Sequence, residues 1–358
     1  MKTLPPGSTI GILGGGQLAR MTALAAARLG YKTHIYTAGA DEPACQVTPL
    51  RTIGAFDDRP KLEAFAKSID VCTLEWENVP VEAVEAVEKH TPCHPKSSVL
   101  HITQNRLLEK GFARDQGVAT PDFRPAHSAA ELRIALNLLG LPCVVKTARF
   151  GYDGKGQVVI RELSQADEAW KSLKTTEAIV EKLVPLEKEM AVIVARRADG
   201  TLRAYPPVET RHKNGILDEA HVPAVLDEEA AKQAVSIAEK LCEKLEVVGL
   251  LAVEMFLVQN RVLLNEMAPR PHNSGHWSID GATTSQFEQL VRAICGLPLG
   301  DAQALFPCVM KNLLGDEVND WRDYLNMPGA HVHLYGKKEA REGRKMGHVT
   351  IRNRRSEF

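Results

Sequence analysis

Two glutamates carry the sharpest chemical signal in this sequence. Glu254 sits inside an otherwise apolar stretch, Leu250-Leu251-Ala252-Val253-Glu254-Met255-Phe256-Leu257, and Glu266 ends another, Val262-Leu263-Leu264-Asn265-Glu266. A charge inside an apolar strand is costly unless it is paired or bound to a metal. The short turn around Gln259-Asn260 makes the two stretches a hairpin, and parity decides whether the carboxylates meet. A two-residue loop sets Glu254 opposite Asn265 and sends Glu266 to the other face. A three-residue loop, or one bulge, sets Glu254 opposite Glu266. The second arrangement is expected, and it makes an oxygen-ligand site suited to Mg2+ bridging the phosphates of ATP.

A second group of residues suits those phosphates. Lys146 closes the apolar strand Cys143-Val144-Val145, and Arg149-Phe150-Gly151-Tyr152-Asp153-Gly154-Lys155-Gly156-Gln157 follows at once. An ammonium at a strand end neutralises phosphate charge, while glycine N–H groups fold over the rest. The pattern G-x-x-x-x-G-K-[ST] is absent, so this is not a P-loop; taken alone, the stretch also fits a long hairpin loop with a solvated lysine. Downstream, Glu181-Lys182-Leu183-Val184 ends a strand at a hinge, where backbone groups suit an adenine edge, and Glu189 offers a carboxylate to ribose hydroxyls.

Near the N-terminus, Gly14-Gly15-Gly16-Gln17-Leu18-Ala19 matches G-x-G-x-x-A between a strand and a helix. A dinucleotide site also expects an acid at the end of the second strand. That strand ends Tyr36-Thr37-Ala38, with no acid before Asp41, which disfavours NAD. The turn then serves either tight strand–helix packing or another anion, such as a substrate phosphate.

The elements that must hold these residues follow from periodicity. A strand at 9–13, a helix carrying Leu18, Met21, Leu24, Ala25 and Leu29, and a strand at 32–36 form a βαβ opening that predicts a parallel sheet. A strand at 71–74 and helices at 81–89 and 105–116 follow. The texture changes around Gly117, and Ala119-Thr120-Pro121 reads as a linker. Strands at 142–146, 158–160 and 179–182, with helices at 129–138 and 168–173, form a small α+β unit. The remainder has strands at 190–195, 250–258 and 262–266, helices at 228–244 and 284–294, and a polar segment at 268–277. The expected division is 1–116, 117–187 and 188–358.

Composition bounds the partners. Among 358 residues, 44 Lys+Arg against 45 Asp+Glu leave a net charge of −1, without the basic field that nucleic acid or a membrane surface requires. None of the 7 cysteines lies in a C-x-x-C pair, which argues against zinc ribbons or a disulfide framework and for a reducing cytoplasm. No apolar run approaches the roughly 20 residues that span a bilayer, and no apolar leader follows Met1.

Together these residues resemble the ATP-grasp superfamily: a βαβ domain, a lid with Lys146 and a glycine loop, then two strands with E…N-E. The segment Asn265-Glu266-Met267-Ala268-Pro269-Arg270-Pro271-His272-Asn273-Ser274-Gly275-His276 is similar to the N-E-x-A-P-R-x-H-N-S-G-H stretch of the N5-carboxyaminoimidazole ribonucleotide synthetase family. Gly14–Leu18, Glu75-Trp76-Glu77-Asn78-Val79, the Phe150–Gly156 loop and Lys345-Met346-Gly347-His348 fit that family too, although Trp76 stands where Phe is commoner. The resemblance runs from about residue 11 to about 350.

The resemblance implies an α/β ATP-grasp fold with a βαβ parallel-sheet domain, a small α+β lid and a C-terminal α+β domain. It implies a cytoplasmic homodimer that couples ATP, bicarbonate and 5-aminoimidazole ribonucleotide. ATP contacts would come from Arg106, Lys146, Gly151, Tyr152, Asp153, Gly154, Lys155, Gly156, Gln157, Glu181, Lys182, Val184, Glu189, His212 and Asn265. Mg2+ would be held by Glu254 and Glu266. Gln17, Leu18, Glu75, Arg270, His272, Asn273, Ser274, Lys345 and Arg352 would surround ribonucleotide and bicarbonate. Tyr152, Asp153, Lys155, His272 and Lys345 are the catalytic candidates. The residues do not choose which of Tyr152, Asp153 or His272 handles bicarbonate or the amine proton. Lys345 and Arg352 also fit a solvated basic tail.

Overall fold

The glycine-rich opening folds as its pattern requires. In the computed structural model, which describes residues 3–151 and 155–352, strand β1 (Thr9–Leu13) leads through Gly14–Gly16 into helix α1 (Gln17–Arg28) and back to β2 (Lys32–Thr37). Strands β3 (Leu50–Ile53) and β4 (Val71–Leu74) complete a parallel sheet of order β3-β2-β1-β4. Helices α2 (Arg59–Ala66) and α3 (Val81–Glu88) pack their apolar faces on one side of it around Phe65, Leu62 and Val84. The other side joins Ile10, Ile12 and Ile35 to Ile193, Leu290 and Trp277, far along the chain, in one core. Helices α4 (Ser97–Thr103) and α5 (Arg106–Asp115) then lead out of this region. Asn105 caps α5, its Oδ1 accepting from the Leu107 N–H at 2.9 Å.

A second sheet holds β5 (Phe123–Ala126), β6 (Cys143–Thr147), β7 (Gln157–Ile160) and β8 (Ala178–Lys182), antiparallel in the order β5-β8-β6-β7. Helices α6 (Ala129–Leu139) and α7 (Ala166–Leu173) cover it. Its core of Leu132, Leu136, Val145, Ile160 and Val180 draws only on its own residues, so it packs as a separate small layer.

The third sheet is larger than periodicity suggests. It holds β9 (Lys188–Arg196), β10 (Leu202–Ala204), β11 (Val208–Lys213), β12 (Ile216–Val222), β13 (Gly249–Val258), β14 (Arg261–Ala268), β15 (Cys308–Leu314), β16 (Ala330–Leu334) and β17 (Lys345–Arg352). The order is β14-β13-β9-β11-β12-β15-β17-β16, with β10 beside β9. Helix α8 (Glu228–Lys244) lays Ala230, Ala234, Ala238 and Leu241 against β9 and β13, burying an i, i+4 stripe of small residues. Residues Lys345–Arg352 are not a solvated tail. They form β17, buried between β15 and β16.

Candidate active site

The β13–β14 hairpin settles the parity question with a bulge. Its loop is the two-residue Gln259-Asn260, with φ of +48° and +59°, the left-handed pair of a tight hairpin turn. Pairing runs Val258↔Arg261 up to Met255↔Leu264, then shifts by one, so that Glu254 stands opposite Glu266 and Asn265 is the extra residue. Both carboxylates therefore face one side, which lines a cavity of about 730 Å³ between the three sheets.

Each carboxylate has one cationic or imidazole partner. Arg106 Nη1, from the first turn of α5, donates to Glu266 Oε2 at 2.5 Å. Burial pushes the Glu266 carboxyl up, but the guanidinium beside it, by charge and hydrogen bond, holds it down at about 2. His272 Nε2 lies 2.9 Å from Glu254 Oε1. The Ser274 N–H donates to the other ring nitrogen of His272 at 3.3 Å, which leaves Nε2 as the protonated nitrogen facing Glu254. Glu109, one turn after Arg106, is buried and accepts the Met267 N–H at 2.5 Å; burial and the Glu266 charge push it up to about 8.

The phosphate-side residues come from the second sheet. Lys146, at the end of β6, lies 2.7 Å from Glu181 Oε2 and 3.5 Å from Asn265 Oδ1. Arg106 Nη2 reaches the Gly151 carbonyl at 3.4 Å, tying α5 to the glycine loop. Gly151, Lys155 and Gln157 line the cavity, and Gly156, at φ +72°, turns the chain back toward Thr147. Tyr152, Asp153 and Gly154 lie outside the described residues. His212 Nδ1 is 2.5 Å from Glu189 Oε2, both on the cavity wall. Burial pulls His212 down, but the Glu189 hydrogen bond and charge more than offset this, so the imidazole titrates above its ordinary value. A register shift at Arg211/His212 marks a bulge here.

The opposite wall carries Gln17, Leu18, Glu75, Arg270, His272, Asn273 and Lys345. At the glycine turn of α1 the Glu75 carboxyl lies against the chain, stabilised by backbone N–H groups of Gly16 and Leu18. A Cβ on Gly14 would stand 2.7 Å from Glu75 Oε2, and one on Gly16 would collide with Oε1. Burial raises the Glu75 carboxyl above its ordinary range, against the pull of Arg270 and those N–H groups. Arg270 Nε is hydrogen-bonded to Glu77 Oε2. Asn273 makes a reciprocal amide pair with Asn312, at 2.9 and 2.7 Å.

Several residues implied by the resemblance are placed elsewhere. Arg352 does not reach the cavity. It ends β17 seven residues after Lys345, about 23 Å away along an extended strand, and its guanidinium lies over the Phe306 ring at 5.1 Å. Ser274 is buried beneath the wall, its Oγ 2.8 Å from His272 Nδ1, where it orients the imidazole. The Lys182 ammonium donates to the Gly140 and Leu141 carbonyls at 3.0 Å each. The Glu181 carboxylate is buried under Lys146, and the Val184 carbonyl accepts from the Leu186 N–H. The Glu181 and Lys182 side chains are thus engaged within the chain itself.

The sequence reading missed Lys337, Arg344 and Lys110. Lys337 lines the cavity and donates to the Lys345 carbonyl at 2.7 Å; burial and the nearby Arg344 push its ammonium down to about 8. No local pattern flags it, because the β16–β17 hairpin brings it in. Lys110 did carry a signal: it stands four residues after Arg106 on one helix face.

Hard oxygen donors on Glu254 and Glu266, with the Asn265 carbonyl between them in sequence, suit magnesium. Among the described residues no group of three or more His, Cys, Asp or Glu could hold a metal.

The chain matches the ribonucleotide synthetase preATP-grasp domain over residues 7–104. It matches the ATP-grasp domain over 111–287 and the phosphoribosylaminoimidazole carboxylase C-terminal domain over 308–357. It is 44% identical to the N5-carboxyaminoimidazole ribonucleotide synthase of Brucella melitensis, over 97% of each chain. It is 45% identical to the bifunctional purine synthesis protein purC/E of Dictyostelium discoideum, over 97% of this chain but 37% of that longer protein. The ADP complex of an N5-carboxyaminoimidazole ribonucleotide synthetase superposes with a TM-score of 0.96 at 43% identity, covering 99% of this chain and 94% of that one. The Aspergillus clavatus enzyme in complex with ADP and 5-aminoimidazole ribonucleotide superposes at 0.92 with 31% identity, covering 97% and 94%.

Proposed function

The chain belongs to the N5-carboxyaminoimidazole ribonucleotide synthase family of ATP-grasp enzymes, and from that premise we propose how its residues divide the reaction. The activity is the ATP-dependent carboxylation of 5-aminoimidazole ribonucleotide to N5-carboxyaminoimidazole ribonucleotide, a step of purine biosynthesis. In our reading bicarbonate supplies the carbon. Its oxygen attacks the γ-phosphorus of ATP, the bond to ADP breaks, and carboxyphosphate forms. Carboxyphosphate releases phosphate and CO2, and the exocyclic amine takes up CO2 and loses a proton.

The observation that carries this reading is the pairing of Glu254 with Glu266 on the cavity side, with the Arg270–His276 segment continuing from the same strand. Glu254 and Glu266 would hold Mg2+, which, when bound, neutralises charge on the β- and γ-phosphates. Lys146 and Arg106 add fixed positive charge where the transferred phosphoryl group becomes more negative. The glycine loop after Lys146 would shield carboxyphosphate from water, with Gly151, Lys155 and Gln157 on the cavity lining. The backbone of Glu181, Lys182 and Val184 receives the adenine edge, and Glu189 and His212 face the sugar. His272, whose Nε2 lies beside Glu254, would pass a proton, with Tyr152, Asp153 and Lys155 as further candidates. Gln17, Leu18, Glu75, Arg270 and Asn273 hold the ribonucleotide, and Lys337 joins Lys345 on its phosphate.

We further propose the division 1–116, 117–187 and 188–358, which the membership of the three sheets supports, and a cytoplasmic homodimer. No helix among the described residues is long and apolar enough to cross a membrane. The test of the activity is ADP release in the presence of each co-substrate pair. Release that requires bicarbonate and 5-aminoimidazole ribonucleotide is expected. Turnover with formate and glycinamide ribonucleotide instead would overturn the assignment.

A further inference from the structure

Behind the phosphate side of the cavity, Lys146 is the outer member of a charge triad whose two buried members, Lys110 and Glu181, have side chains that the reaction scheme leaves unused. Lys110, on α5, is 0% exposed, and its Nζ lies 2.8 Å from Glu181 Oε1. The other oxygen of the same carboxylate, Oε2, lies 2.7 Å from Lys146 Nζ. Apart from Lys110, no group among the described residues approaches Oε1 closely enough to bond it. Lys110 also points its Nζ at the Leu264 carbonyl, 3.4 Å away, which anchors it to the strand that bears Glu266. Only Lys146 of the three lines the cavity.

The arithmetic of charge gives this arrangement a consequence. A buried Glu181 paired with Lys146 alone would cancel it, and a neutral pair offers little to a polyphosphate. With Lys110 on the second oxygen, two cations share one anion and one net positive charge is left. Lys110 cannot spend that charge, being sealed from the cavity, so it falls to Lys146. Glu181 at the same time fixes the direction of the Lys146 ammonium, which a solvated lysine would not have.

We propose that Lys110 is a positioning residue for the nucleotide: by sharing Glu181, it leaves Lys146 oriented and cationic toward the phosphates. This rests on the reading that Lys146 contacts ATP. The effect must follow phosphate, not adenosine. Calorimetric titration with ADP and with adenosine, in magnesium buffer, separates the possibilities. Lys110→Met should weaken ADP about tenfold, on the scale of couplings between charged neighbours, and leave adenosine unchanged. Adding Glu181→Gln should restore ADP binding to within about threefold of wild type, since no carboxylate then cancels Lys146. Equal weakening of both ligands, or no recovery in the double variant, would assign Lys110 to packing and overturn the proposal. Lys146→Met tests the premise: unchanged ADP affinity there removes the reading of Lys146 itself. A loss at Lys146→Met with none at Lys110→Met overturns only the role of Lys110. Should Lys110→Met fail to fold, Lys110→Gln removes the charge, keeps a polar group, and carries the same expectation.

Discussion

At the end of the β13–β14 hairpin, Glu254 and Glu266 each lean on one side chain, His272 and Arg106. At the start of α1, Glu75 is held instead by backbone N–H groups of Gly16 and Leu18. Both sites face the same cavity and both are acidic, yet they are built for different ends. A side-chain partner can rotate away and surrender its carboxylate to a metal. A backbone donor cannot, and a carboxylate seated on a helix N-terminus occupies a place that would otherwise draw an anion. The hairpin is therefore poised to exchange ligands, while the glycine turn carries a carboxyl of the chain itself. A glycine motif at a helix start is thus no evidence of a bound phosphate until the side chains opposite it are known.

The largest test falls on the hairpin. Glu266→Ala should cut ATP turnover by about a thousandfold, as expected when charge stabilisation of the transferred group is lost. The fold should persist, because losing the Glu266 charge removes one of the causes that hold Glu109 neutral, and Glu109 stands near Arg106. Wild-type turnover in the variant at low magnesium, with unfolding monitored by circular dichroism, would remove the metal assignment. The glycine turn should answer in stability. Gly16 has ordinary extended backbone, φ −75° and ψ −162°, and the three atoms nearest to an added Cβ all belong to Glu75. Gly16→Ala should cost about 1–3 kcal/mol in denaturant unfolding, as overpacking does, and Glu75→Ala in the same chain should recover part of it. A neutral Gly16→Ala would show that Glu75 is not seated on the turn.

The smallest expected effect concerns the cations left over on the Glu75 side. Lys337 titrates near 8 rather than at its ordinary 10.5, because burial and Arg344 disfavour its charge. It is protonated below that pH and neutral above it, so affinity for an anionic ribonucleotide should fall as pH rises through about 8. The KM for 5-aminoimidazole ribonucleotide should climb several-fold there, on the order of one lost charge-assisted hydrogen bond. Lys337→Met should show the higher KM at all pH values and a flat profile in this window. A profile unchanged by the substitution would take Lys337 out of the phosphate site.

Much of the fold was legible because it is local. The strand–helix–strand opening, the α8 stripe and the strand at Lys146 follow from apolar period and capping, which neighbouring residues set among themselves. The carboxylate pair was nearly legible: an antiparallel hairpin has only two parities, and an apolar strand does not waste a glutamate. The bulge at Asn265, rather than a longer loop, supplied the parity. Strands β11, β12 and β15 to β17 were not legible, since charged residues interrupt their alternation and only burial against distant partners makes them strands. Arg352 illustrates the consequence. Without β17, Lys345 and Arg352 look like neighbours in a basic tail. With it, they stand at opposite ends of an extended strand.

The sequence by itself determined which groups can do the chemistry: the two hairpin carboxylates, Lys146, the glycine loop and the Arg270–His276 segment. Only the tertiary structure decided what each group faces. It seated Glu75 on the glycine turn, put Ser274 under His272, brought Lys337 to the wall and buried Lys110 behind Glu181. The reason is physical. Residue type and spacing act over one or two turns of chain, whereas the charge that a side chain meets is set by whichever element packs against it, and that partner can be hundreds of residues away.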